Sequence, residues 1–306
     1  MIIEKTAKDI NSYRTPLYFF DCARAALKQI LIQYKQKEEY TLFIPGYIGV
    51  SPNEGSGIFD PICEANVPYK FYPIDTKLQV DYIKFEKQLK GTQNKKIVLI
   101  VHYFGYPDSN YEKIIKICRD NSAIIIEDAA HALYSDFIDH VCGTCGDYVI
   151  YSLHKMLPFS KGGMLKVNNV NENLCFKTCS YDKYPVFNYD LKKIALRRKN
   201  NGRIWNGLLQ NHESIEILKP FQENITPQTF PIVIKKYDRD KLYFELNKAG
   251  YGAVSLYHTM IEPIKTENLK DAIWLSEHII NMPVHQDIGD EEIKQMSEKL
   301  LEIIGD

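Results

Sequence analysis

Apolar residues recur along this chain at two periods. Over residues 22–36 they fall at Ala23, Ala26, Leu27, Ile30, Leu31 and Tyr34, the three-to-four spacing that lines one face of a helix. Asp21 stands where a helix N-cap is expected. A short apolar strand over 41–44 follows, stopped by Pro45 and Gly46, and a second strand over 70–72 runs into Pro73 and Asp75. A charged helix is predicted over 80–89, an apolar strand over 97–101, a helix over 111–119 and a further apolar strand over 123–126. The strands are continuous apolar runs rather than alternations. Strand and helix taking turns, with strands of that kind, predict an α/β fold with a mostly parallel sheet covered on both faces. Ligand-binding residues in such sheets lie beyond the carboxyl ends of the strands, which directs attention to residues 46–47, 102–105 and 127–131.

Past Asp147 two more strands are predicted, over 148–152 and 164–167, with a loop holding lysine and glycine between them. A polar stretch rich in tyrosine and lysine, 168–211, reads as a linker with one helix over 191–208. The remainder reads as a smaller α+β unit. It has a strand over 230–234, a helix over 239–249 with Gly250 as its C-cap, and a final amphipathic helix over 291–304. The expected organisation is a large domain over 1–210 and a small C-terminal domain over 211–306.

Composition narrows the function classes. The chain has 306 residues, 45% of them hydrophobic, and a formal net charge of −1. It is long enough to bury a sizeable core. Balanced charge points to neither a nucleic-acid nor an anionic-membrane partner. The longest apolar runs are strand-length, far from the roughly 20 residues that span a bilayer. The first residues, MIIEKTAKDINSY, carry charges where a signal peptide needs an apolar stretch. These features lead to the expectation of a soluble, cytoplasmic protein. The seven cysteines, an odd number, do not suggest a disulfide scaffold. Cys142 and Cys145 form a CxxC, but Cys175 and Cys179 lie further off than zinc modules place a second pair. Small semi-buried residues around Gly143 and Gly146 are the reading preferred, and no metal site is expected.

Chemistry concentrates in one ordered series. Asp128 follows the buried strand over 123–126, and Ser152 and Lys155 stand at the end of the strand over 148–152. Gly162 and Gly163 come seven and eight residues after the lysine. Alone, Asp128 reads as a cap or ion-pair partner, and Lys155 as an exposed loop lysine. Together they are the parts that pyridoxal phosphate chemistry needs. A lysine holds the cofactor, and a carboxylate keeps the pyridine nitrogen protonated so that the ring withdraws electrons. Hydroxyls and small residues cradle a phosphate, and an aromatic or imidazole packs on the ring.

The residues resemble the DegT/StrS-type pyridoxal-phosphate-dependent sugar aminotransferases, of fold type I. The family pattern EDAAQA, then GSxGDxxxFSFxxxK, then GxGG, appears here as EDAAHA at 127–132, GTCGDYVIYSLHK at 143–155 and KGG at 161–163. FDCARAAL at 20–27, FIPGYIG at 43–49, VHYFGYP at 101–107, FNYDL at 187–191 and NMPVHQDI at 281–288 resemble further family segments more thinly. The resemblance implies an α/β/α sandwich with a small C-terminal α+β domain, and pyridoxal 5′-phosphate as cofactor. It implies Lys155 as the covalent attachment and proton carrier, and Asp128 as the pyridinium partner. His131 falls beside the ring hydroxyl, and Ser152 with the Ala23–Arg24 backbone falls at the phosphate. Tyr47 becomes a candidate ring-stacking residue, and Asn188 a contact to a partner subunit's phosphate, so a homodimer is expected.

The implied activity is transfer of an amino group from glutamate to a keto group on a nucleotide-linked sugar, in polysaccharide or related glycan biosynthesis. A sugar dehydratase, a non-sugar aminotransferase, or a catalytically silent binding or regulatory homologue are the alternatives. Departures from the family motivate them. The chain is short, the segment from Ser152 to Lys155 is shortened, and His154 directly precedes the lysine, where family dehydratases carry histidine. Lys161 stands where an acidic residue is common, and Asp190 where an arginine is usual.

Overall fold

The computed structural model describes residues 16–51, 57–169, 174–180 and 183–305. The N-terminal segment 1–13 read above for a signal peptide lies outside the described residues. Strands β1 (Leu17–Phe20), β2 (Tyr40–Pro45), β3 (Tyr69–Tyr72), β4 (Lys95–Val101), β5 (Ile124–Asp128), β6 (Tyr148–Ser152) and β7 (Gly163–Val167) form one sheet. Its order is β1-β7-β6-β5-β4-β2-β3. Only β7 runs against the others, pairing antiparallel with both β6 and β1. Continuous apolar runs become central strands here because both faces are covered. Ile97, Val98, Leu99, Ile125 and Ile126 have no exposed surface.

Helices α1 (Ala23–Lys37), α2 (Phe59–Ala65), α3 (Tyr82–Lys90), α4 (Tyr111–Asp120) and α5 (Leu133–Phe137) accompany this sheet. Helix α1 buries Ala26, Leu27, Ile30, Leu31 and Tyr34, the stripe its sequence period marks. Its N-cap is Cys22, with no side-chain cap, and not Asp21. Asp21 turns outward to pair with Lys183 at 2.5 Å and Lys161 at 3.5 Å. The first backbone N–H groups of α1 are thus left without a capping carboxylate.

A second sheet has the order β10-β9-β8, formed by β8 (Ile215–Ile217), β9 (Phe230–Ile234) and β10 (Ile279–Met282). Helices α6 (Leu191–Leu209), α7 (Arg239–Lys248), α8 (Glu262–Thr266), α9 (Lys270–His278) and α10 (Asp290–Ile304) complete the described residues. Trp205 of α6 stacks on Phe230 with ring centres 6.5 Å apart and donates its indole N–H to the Pro283 carbonyl at 2.8 Å. The second core therefore begins within α6, and Tyr257, Met260, Ile261 and Ile264 return to the core of the large sheet. Asp190 caps α6 by accepting from the Lys193 N–H at 3.0 Å. Two short strands, β8 and β10, and helices α2 and α9 carry too few residues or too little period to stand out in the sequence.

Candidate active site

The carboxyl ends of β4, β5 and β6 meet the N-terminus of α1 around a cavity of about 130 Å³. Among the described residues its walls include Ala23, Arg24, Asp128, His131, Ser152 and Lys155. Six of the eight residues singled out from sequence are thus brought together. Asp128 ends β5 and accepts the Ala130 N–H at 2.9 Å. Burial pushes its carboxyl up from the ordinary range, opposed by that N–H and by the charge of Lys155. Lys155 closes the single 3-10 turn Leu153–Lys155 that follows β6. The shortened segment is accommodated by this turn, which carries Nζ to 2.9 Å from His131 Nε2. Burial holds the lysine amine below its ordinary value; Asp128 pulls the other way and Arg24 adds to the depression. His131 is buried, and desolvation followed by the lysine charge holds its imidazole well below the usual histidine range.

The glycine pair explains its own spacing from the lysine. The Leu153 N–H donates to the Gly162 carbonyl at 2.9 Å, and Gly162 bridges to Cys22. A Cβ on Gly163 would overlap the Ala23 nitrogen and the Cys22 carbonyl carbon. The two glycines therefore seat the lysine turn directly against the start of α1. That helix start, which has no side-chain cap, lies with its positive dipole end at the cavity, an arrangement suited to a phosphate. The Arg24 side chain is drawn away to Asp60 at 2.8 Å and Ser51 at 3.1 Å. Ser152 is buried at the same end, its Oγ 3.3 Å from His154 Nδ1.

Two sequence candidates lie elsewhere. Tyr47 is fully buried but does not line the cavity. Its hydroxyl donates to the Tyr257 carbonyl at 3.2 Å, and its ring stacks on Tyr257 at 5.3 Å. The aromatic ring on the cavity wall is that of Tyr257, from the C-terminal third of the chain. The strand-end position fixes Tyr47's backbone, yet its side chain points into the core. Asn188 is exposed at the end of the turn Val186–Asn188 and is not on this chain's cavity wall.

Behind the wall lies a buried cluster. Glu127 Oε2 accepts from His102 Nε2 at 2.7 Å, Tyr111 at 2.8 Å and the Gly143 N–H at 2.8 Å; Oε1 accepts the Gly146 N–H at 2.5 Å. Burial alone would raise this carboxyl, but the donors, His102 first, bring it down to about 2. The CxxC segment is thus the loop that wraps a buried carboxylate. A Cβ on Gly143, at φ +79°, would overlap Asp136, and one on Gly146 would sit 2.8 Å from Glu127 Cγ. The seven cysteines are unbonded, and no group of three potential metal ligands occurs among the described residues. His102, Phe104 and Glu127 fall in the strand-end segments that sequence flagged, whereas nothing in the sequence marks Tyr257.

The residues fit pyridoxal phosphate in chemistry. A depressed lysine amine, a half-buried carboxylate and a helix N-terminus with no side-chain cap surround one cavity. Comparison with known proteins agrees. The model of the DegT/DnrJ/EryC1/StrS aminotransferase family matches residues 65–181. An uncharacterised protein of Methanocaldococcus jannaschii is 24% identical over 269 residues, covering 70% of this chain and 68% of the relative. The spore coat polysaccharide biosynthesis protein SpsC of Bacillus subtilis is 28% identical over 159 residues, covering 51% of this chain and 38% of the relative. The fold superimposes on that of Helicobacter pylori PseC, an aminotransferase of pseudoaminic acid biosynthesis. The TM-score is 0.73 at 15% identity, over 94% of this chain and 86% of that one. Over residues 65–181 the chain is thus similar to the DegT/DnrJ/EryC1/StrS aminotransferases, and its fold is that of solved aminotransferases.

Proposed function

We propose that this protein transfers an amino group from an amino acid, glutamate by family resemblance, to a keto group on a nucleotide-linked sugar. The observation that carries the reading is the convergence of Lys155, Asp128 and the start of α1 on one cavity. Lys155 would hold the cofactor covalently, Asp128 its ring nitrogen, and the Ala23–Arg24 backbone with Ser152 its phosphate. When bound, the cofactor supplies an electron-withdrawing ring that stabilises charge developing at the reacting carbon. Lys155 Nζ, once freed from the cofactor, would take the proton from the donor's α-carbon and deliver it to the cofactor's aldehyde-derived carbon two bonds away; an amine of lowered basicity suits both directions. Asp128, half-buried at the end of β5, would keep a proton at the ring nitrogen. The side reading, a sugar dehydratase with His154 in the lysine's place, is less well supported. His154 turns toward Ser152, while Lys155 faces His131.

The test is spectroscopic. Protein purified with pyridoxal phosphate is expected to show a visible absorption band that borohydride fixes to Lys155 and that glutamate converts to the amine form of the cofactor. A band that glutamate leaves unchanged favours the dehydratase or a silent homologue. Absence of any band, or an unaltered one in Lys155→Ala, overturns the reading. We also propose a cytoplasmic homodimer in which Asn188 reaches the partner's phosphate site, and the division into domains 1–210 and 211–306. The exposure of Asn188, away from its own cavity, supports the cross-subunit assignment.

A further inference from the structure

The Phe104 main-chain N–H lies 3.3 Å from His131 Nδ1. An N–H can only donate, so Nδ1 presents a lone pair. Both the imidazolium and the Nδ1–H tautomer would set hydrogen against hydrogen there. A neutral ring has one proton, which therefore sits on Nε2. That nitrogen is 2.9 Å from Lys155 Nζ. An ammonium has three donors and no lone pair, so it cannot accept from Nε2–H; a neutral amine can. We infer that Phe104 is a positioning residue whose backbone fixes His131 as the Nε2–H tautomer, and that His131 thereby holds Lys155 as a neutral amine.

The local backbone is built around this bond. Phe104 takes φ 58° and ψ 18°, a left-handed conformation uncommon for a bulky residue. Gly105 follows at φ +95°, where a Cβ would lie 2.7 Å from the Thr226 carbonyl oxygen. The Phe104 ring stacks on the imidazole at 6.0 Å and 21°, and Tyr257 meets it edge-on at 6.2 Å. Charged and titratable groups reach the pair from every side. Asp128 on β5 favours an ammonium, whereas Arg24 on α1 opposes one. His102 at the end of β4, His154 on the lysine's own turn, Cys22 before α1 and Tyr257 are the other titratable groups on the wall. Burial acts on both partners in the direction of neutrality.

The functional meaning rests on Lys155 being the cofactor lysine; the proton placement does not. An ordinary lysine at neutral pH exposes its lone pair in on the order of one molecule in a thousand. A lysine held neutral is ready to attack an aldehyde.

Ring-nitrogen NMR of the cofactor-free protein labelled with nitrogen-15 in histidine reads the placement directly, with His131→Gln identifying the signal. The expected result is an unprotonated Nδ1 and a protonated Nε2 between pH 6 and 8. An Nδ1–H tautomer, or an imidazolium at neutral pH, overturns the inference. A second measurement replaces Phe104 by its hydroxy-acid analogue, which keeps the ring and removes the N–H. The pH at which pyridoxal phosphate uptake reaches half its maximal rate is then expected to rise by at least about one unit. A role in packing alone would lower the melting temperature and leave that profile in place, which also overturns the inference. Failure of the protein to take up pyridoxal phosphate at all would count against the proposed function, while the ring-nitrogen result would still decide the tautomer.

Discussion

At the scale of single residues, the site separates charges that sequence places close together. Glu127 and Asp128 are neighbours, yet alternate directions along β5 send them to different surroundings. Glu127 meets four donors and is held down to about 2. Asp128 has one backbone donor and is pushed up by burial. They therefore cannot substitute for one another. Asp128→Asn keeps the shape and removes the charge. It is expected to retain cofactor but lose about 10²–10³-fold in amino transfer, by analogy with removal of one electrostatic stabiliser. Single-turnover conversion by glutamate measures this, and full activity in the variant would exclude the ring-nitrogen role. For Glu127 the consequence is stability. A carboxyl depressed from 4.5 to about 2 contributes on the order of 3 kcal/mol above its unfolded pKa, lost as pH falls from 4.5 through 2. Urea titrations at pH 7 and pH 3 should show a larger loss in the native protein than in Glu127→Gln, which starts less stable and has no such dependence. Equal losses would mean that the cradle contributes nothing measurable.

At the scale of elements, the decisive contact joins β7, the lysine turn and the start of α1. Gly163 leaves no room for a methyl group against the Ala23 backbone. Gly163→Ala is expected to cost about 1–3 kcal/mol as an overpacked site. It should also push the α1 terminus from the cavity and weaken cofactor affinity more than tenfold. Equilibrium unfolding and a cofactor titration read the two effects separately. A destabilised variant with unchanged affinity would show that the helix terminus does not bind the phosphate. The absence of a side-chain cap at Cys22 belongs to the same design: a carboxylate there would compete with the incoming anion.

At the scale of the whole molecule, the loop around Tyr257 ties the segment after β2 to a segment more than 200 residues further along. The Val50 N–H donates to the Thr259 carbonyl at 2.9 Å and the Ile261 N–H to Ile48 at 3.1 Å, which brings Tyr257 to the cavity. If Asn188 serves a partner's site in a twofold dimer, Lys155→Ala and Asn188→Ala chains complement each other. Mixed after unfolding and refolding together, they should recover about a quarter of native activity, since half the dimers carry one complete site of two. A sedimenting monomer that binds pyridoxal phosphate tightly, or an inactive mixture, would remove Asn188 from the site.

Most helices and the central strands were legible because their periods come from burial of one stripe or of both faces, a property of local sequence. The register of Asp128, Ser152, Lys155 and the glycine pair was legible for a related reason. One turn, one strand end and one close approach fix those spacings along the chain. Asp21, Tyr47 and Tyr257 were not legible. Asp21 was free to serve lysines from residues 161 and 183 instead of its own helix. Tyr47 turned inward and left the cavity wall to a ring more than 200 residues away. The chain by itself determined which elements form and which chemical groups stand at their ends. Only the tertiary structure decided which side chains turn toward the cavity and which groups lose their water. Those depend on neighbours contributed by distant segments: the Phe104 N–H sets the proton on His131, which in turn leaves the lone pair on Lys155.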